Sequence, residues 1–168
     1  TLEMKGRIFT FGCSFTQYTW STWADILGKE FEVYTNYGQS GAGNTYIFNH
    51  VMQAVAEEKI RSADTVIIMW STIAREDRYI KNSWKTPGSI YNQDFYDEGF
   101  MKYVDPEHFL IRDLAHIAAV YHVLENIGCK FIFLSMMPIS HVKEYLNHNF
   151  LDKIFKKSLT DTFVKKYK

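Results

Sequence analysis

The run DTVIIMW, residues 64–70, constrains the fold most. It is continuously apolar over the length of a strand. Such a strand belongs in a parallel sheet covered on both faces, not in an antiparallel sheet with one wet face. Three further segments read as strands: 5–11 (KGRIFTF), the stretch around Phe31, Val33 and Tyr34, and 129–135 (CKFIFLS). Helical periods fill the gaps. Trp20, Trp23, Ile26 and Leu27 follow an i, i+3, i+4 rhythm and predict a buried helix face that ends at Gly28. A second helix is expected from about residue 45 to 60, with Ile47, Val51, Ala54 and Val55 turned inward. Asp105-Pro106-Glu107 is a helix start: a capping side chain, a proline in the first turn, then an acid near the positive end. Leu110, Leu114, Ile117, Tyr121 and Leu124 then mark one face, and Gly128 ends it. A last amphipathic helix is expected from about Val142 to Phe155. The order β-α-β-α-β-(insert)-α-β-α predicts an α/β protein, a three-layer α/β/α sandwich around a parallel sheet.

The 168 residues fit one domain spanning 1–168. Within it, about 72–104 shows no period but carries Tyr79, Trp84, Tyr91, Phe95, Tyr96, Phe100 and Tyr103. This aromatic-rich insert reads either as a functional loop or as a segment packed against the body. Lys and Arg together equal Asp and Glu at 19 each, so no nucleic-acid partner is expected. Two cysteines make no disulfide framework, no CxxC or HExxH spacing offers a metal site, and no cofactor is expected. No run of about 18 apolar residues predicts a membrane span. The chain shows no signal peptide, which leans towards a cytoplasmic location, and it opens at Thr1 without a start methionine, so a trimmed sequence, with its C-terminus cut at Lys168, is also expected. Seven lysines after residue 140 read as a solvated helix face or as a docking tail for an acidic partner.

In a parallel α/β sheet, chemistry sits at the carboxyl ends of the strands. After the first strand comes Gly12-Cys13-Ser14-Phe15-Thr16. A serine at a sharp strand-to-helix turn is exposed at that edge, near amides of the following helix that can stabilise an oxyanion. After the second strand comes Asn36-Tyr37-Gly38-Gln39-Ser40-Gly41, with glycines that let backbone amides approach a ligand. Cys13 reads as a buried filler, or as a thiol activated by the same helix terminus.

These two blocks resemble those of the SGNH (GDSL-type) hydrolases, with Cys13 where an Asp is usual. The resemblance covers roughly residues 5–75 and implies a flavodoxin-like sandwich that hydrolyses esters of lipids, acylated sugars or small acyl compounds. It implies Ser14 as nucleophile and the Gly41 amide, with that of Ser14, as the oxyanion hole. Two positions depart from the pattern. Ile73, in Trp70-Ser71-Thr72-Ile73-Ala74-Arg75, stands where an Asn donor is usual. Losing one oxyanion donor typically costs about 10²–10³ in rate. Ser71, Thr72 or Arg75 could take its place, and Arg75 reads equally as a surface residue paired with Glu76 or Asp77. No D-x-x-H follows residue 135 to supply a base and its orienting acid. The base is then His141, just past the last strand, His108 of Asp105-x-x-His108, or a residue beyond Lys168; His148 reads as helical.

Two functions follow as expectations. One is a serine esterase acting on a small-molecule or glycan ester. The other is a catalytically inactive module of the same fold, whose aromatic insert holds a glycan or a protein. A third reading treats Thr10, Gly12, Ser14 and Thr16 as a phosphate cradle of the kind that holds a flavin nucleotide.

Overall fold

The computed structural model describes residues 5–137. Four strands, β1 (Lys5–Phe11), β2 (Phe31–Asn36), β3 (Thr65–Trp70) and β6 (Lys130–Ser135), form one parallel sheet in the order β2-β1-β3-β6. The chain winds outward from β1 to β2, then returns to the other side of β1 with β3 and continues to β6. Ile8 pairs with both Tyr34 and Thr65, and Trp70 pairs with Ser135. A parallel sheet flanked by helices is the α/β class that the sequence predicts.

The strand alternation sorts side chains onto two faces. Phe9, Phe11, Val66, Ile68, Trp70 and Phe133 meet α2 (Asn44–Ala56) and α4 (Pro106–Ile127) through Ile47, Val51, Ile117, Val120 and Leu124. Ile8 and Ile67 meet Trp23 and Leu27 on the side of α1 (Trp23–Gly28). Burying each such large side chain stabilises the fold by about 1.5–3 kcal/mol.

Helix α4 follows the sequence reading at both ends. The Asp105 carboxylate accepts from the Glu107 N–H at 2.9 Å, Pro106 opens the helix, and Gly128 closes it at φ 78°. Helix α1 departs from it. It has only six residues, and its cap is Thr22, whose N–H donates to the Asp25 carboxylate at 2.8 Å. Trp20 therefore precedes the helix and is 69% exposed, and Ile26 is 62% exposed. A spacing shared by four residues, two of them solvent-facing, imitated a buried stripe. The face of α4 also differs. Phe109, Asp113 and Val120 join Leu110, Ile117 and Leu124 in the interior.

The stretch 72–104 is structured. Strands β4 (Arg78–Ile80) and β5 (Ser83–Lys85) form an antiparallel hairpin. Lys81 and Asn82, at φ 50° and 61°, make its two-residue turn, and such a primed turn matches strand twist. One turn of helix, α3 (Glu98–Met101), follows. Ile90, Tyr96 and Phe109 form a separate small core with Ile73, Ala74, Phe100 and Val104. Strands of three residues are too short to show a period, which is why the sequence reads as aperiodic here. The helix expected over 142–155 lies outside the described residues.

Candidate active site

The order β2-β1-β3-β6 reverses at β1 and β3, so the crevice at their carboxyl ends is the natural ligand position. The first loop there is a single tight turn. The Cys13 carbonyl accepts from the N–H of Thr16 at 2.9 Å and of Gln17 at 3.1 Å. Gly12 is required by packing, since a Cβ there would lie 2.1 Å from Thr16 Oγ1. Ser14 sits half-buried in this turn, beside exposed Phe15. Its hydroxyl makes no hydrogen bond with any described residue, and neither does its backbone N–H.

Helix α1 begins nine residues later, so no helix terminus stands behind Ser14. The expected helix dipole is replaced by the amides of the turn itself. The same finding corrects the activated-thiol reading. Cys13 is fully buried, with Sγ 3.6 Å from Met136 Sδ, and fills space. The phosphate-cradle reading loses its helix terminus as well.

The loop after β2 is laced onto this turn. Tyr37 N–H donates to Thr10 O at 2.8 Å, and Gln39 N–H donates to Gly12 O at 3.1 Å. The Asn36 carboxamide accepts from Gly38 N–H at 2.9 Å and donates to Thr16 O at 2.8 Å. Gly41 has φ 76°, and a Cβ would lie 2.1 Å from the Thr86 carbonyl, so both conformation and contact demand glycine. The hairpin insert is responsible for that contact. Thr86 Oγ1 donates to Ser40 O at 2.8 Å and accepts from Gln39 Nε2 at 2.9 Å. Ser40 C=O and Gly41 N–H belong to one peptide plane. A donor on that carbonyl fixes the plane and polarises the N–H on its far side.

The loop after β3 carries the other three candidates. Ser71 is buried, and its Oγ has no partner. Its backbone is clamped by Asn44: Ser71 N–H donates to Asn44 Oδ1 at 2.7 Å, and Asn44 Nδ2 donates to Ser71 O at 3.1 Å. Thr72 Oγ1 accepts from Ala74 N–H at 3.2 Å and closes a local turn. Arg75 donates to Ala42 O at 2.7 Å, so it braces the Gly41–Gly43 segment. Neither acid proposed as its partner hydrogen-bonds it. Glu76 instead pairs with Arg112 at 2.9 Å. Asp77 accepts from the N–H of Gly43 and of Tyr46, at 2.9 and 2.8 Å, and so caps α2 from outside the helix. Ile73 belongs to the small core under the insert.

Behind these loops lies a buried polar network. Asn44 Nδ2 also donates to Asp113 at 2.8 Å, and Asp113 accepts from Arg112 Nε at 2.7 Å. Burial pushes the Asp113 carboxyl up to about 6, against the pull of Arg112. Burial likewise raises Asp77, against its two backbone donors. The sequence reading missed Asn44, Asp77, Thr86 and Asp113. Only Asp113 left a signal, an acid between Leu110 and Ile117 on the inward face of α4.

No described histidine bonds to Ser14. His108 is exposed on the first turn of α4, and Asp105 is spent on its cap. His141 and His148 lie outside the described residues. Among the described residues, no cluster of His, Cys, Asp and Glu could hold a metal ion. No described helix is long and apolar enough to cross a membrane.

No protein-family model matches the chain, and no curated protein does. Two of the solved structures similar to it are these. One is a Bacteroides fragilis protein provisionally named an acylhydrolase, at 14% identity and TM-score 0.43 over 76% of this chain. The other is TesA, at 15% identity and TM-score 0.44 over 83% of this chain. The chain spans 47% and 66% of their respective lengths.

Proposed function

We propose that the protein is a serine ester hydrolase with Ser14 as its nucleophile. The observation that carries this reading is the pairing of two loops at the switch point: a serine with hydroxyl and amide unclaimed, laced through Gln39 and Gly12 to a glycine loop. In the reaction, Ser14 Oγ attacks the acyl carbon and its proton passes to a base. The carbonyl oxygen becomes an oxyanion, received by the amides of Ser14 and Gly41. The alcohol leaves with a proton returned by the base, giving an acyl-enzyme. Water then releases the acid and restores Ser14. His141, six residues past the end of β6 in sequence, is our candidate base. Ser71 and Arg75 serve the site from the loop after β3, Ser71 through its free hydroxyl and Arg75 by bracing the glycine loop.

The test is turnover of short p-nitrophenyl esters by the wild type, Ser14→Ala and His141→Ala. The reading expects both variants to fall to background. Equal turnover in Ser14→Ala contradicts it. A second reading, a ligand-holding module without hydrolysis, is favoured by the exposed aromatics Tyr79, Tyr91, Phe95 and Tyr103 on the insert. It expects no turnover, with a rise in melting temperature on ligand addition.

A further inference from the structure

A cavity of about 430 Å³ opens between the loop after β2 and helix α2. Gln17, Tyr37, Gln39, Tyr46, His50 and Gln53 are among its lining residues, and Ser14 is not. That volume lies in the range of small-molecule sites.

The polar groups in it are already oriented. His50 Nδ1 lies 2.9 Å from Tyr46 O, a carbonyl that can only accept, so Nδ1 carries the proton. The opposite nitrogen, Nε2, then points away from the helix backbone with a free lone pair. Burial lowers the His50 pKa, which keeps the ring neutral and Nε2 an acceptor. Stacking on Tyr46, with ring centroids 3.8 Å apart, holds the ring in place. Gln39 and Gln53 each commit one amide N–H, to Thr86 and to Glu57 at 2.9 Å, and keep the carbonyl oxygen and the other N–H available. The cavity therefore presents the His50 acceptor beside carboxamides that both donate and accept, a set matched by hydroxyl groups, which do both.

The charges at the rim cancel, because Glu57 and Lys59 pair with each other. An ionic ligand gains no counter-charge there. Tyr37, stacked on Phe11 with 6° between the ring planes, supplies a rigid aromatic wall. Neutral hydroxyl donors carried on a ring with an apolar C–H face satisfy all these conditions at once.

We propose that this cavity is a saccharide site, in which His50 Nε2 and the carbonyls of Gln39 and Gln53 accept hydroxyl protons of a pyranose packed against Tyr37. Ser14 does not line the cavity, although Gln39 belongs to both places, and sugar binding there does not require ester hydrolysis.

The test is the ¹⁵N resonance of His50 Nε2 during titration with methyl glucoside, methyl mannoside, N-acetylglucosamine and tetramethylammonium. Concentrations should span a Kd of about 1 mM, typical of a site with few contacts. The expected result is a saturable shift with at least one sugar. His50→Phe keeps the aromatic stack but loses the acceptor, and should weaken binding about tenfold, as read by the fluorescence of Trp84 beside it. Gln53→Leu offers the same test if His50→Phe does not fold. The proposal is overturned if no sugar gives a saturable shift, if only tetramethylammonium does, or if the folded variant binds as the wild type.

Discussion

The two ends of the parallel sheet treat buried polar groups in opposite ways. At the amino end, Arg7 grips Asp64 with two nitrogens at 2.9 and 2.7 Å, while Arg61 N–H takes the same carboxylate at 2.7 Å. A second bond from Arg7 reaches Lys59 O at 2.7 Å. The Arg7 guanidinium and the Arg61 amide there both meet acceptors. At the carboxyl end, the backbone is equally well tied by Asn44, Asp77 and Thr86, yet Thr16 Oγ1 and Ser71 Oγ are buried without partners. Buried polar groups are normally paired, and Thr10 Oγ1 and Trp70 Nε1 near the same strand ends are orphaned as well, which makes this end the one to probe for function. The difference teaches where to look: the scaffold spends its hydrogen bonds on holding loops and leaves hydroxyls and amides unspent between them.

Substitutions should separate the two ends. Ser14→Ala makes the sharpest break. Ester turnover should fall by about 10⁴-fold or more, while stability moves by less than about 0.5 kcal/mol, because no described residue bonds to the Ser14 hydroxyl. Steady-state kinetics beside thermal melts read both quantities. Asp64→Ala should do the converse. It strands Arg7 and the part-buried amide of Arg61, costing about 2–3 kcal/mol in urea unfolding, with kcat/KM unchanged.

A smaller effect sharpens the contrast through pH. Burial holds the Asp113 carboxyl at about 6, above its ordinary range. The folded chain therefore takes up this proton before the unfolded chain does. Stability from this group should grow as pH falls from about 6 towards 4, and fall as pH rises through the same window. The swing is on the order of 1–3 kcal/mol, with the opposing pull of Arg112 already contained in it. Unfolding free energies measured across that window should slope in this direction, and Asp113→Asn should flatten the slope.

The smallest effect belongs to the insert. Thr86→Val keeps the shape but removes the donor to Ser40 O, and should lower kcat about tenfold with KM little changed. Thr86→Ser should restore it. A change in KM alone would mean that the hairpin only contacts substrate.

Much of the scaffold was legible in the sequence because its signals are local. DTVIIMW, CKFIFLS, the Asp105-Pro106 start and the Gly128 stop each carry their meaning within a few residues. The α1 face was misread because Trp20 and Ile26 share a spacing without sharing a buried side. Of the candidate site, only the loops were legible. Ser14 and Gly41 announce themselves by position after a strand. Asn44 and Asp113 are joined across 69 residues, and Asp77 caps a helix 31 residues away, and no local pattern encodes such pairings. The Thr86 clamp was hidden for the same reason, inside a stretch whose strands are three residues long.

The most direct test of the central claim is intact-mass analysis of the protein after a fluorophosphonate probe, beside Ser14→Ala. An activated serine predicts one adduct on the wild type and none on the variant. An unlabelled wild type, or equal labelling of both, would contradict the assignment of Ser14 as nucleophile.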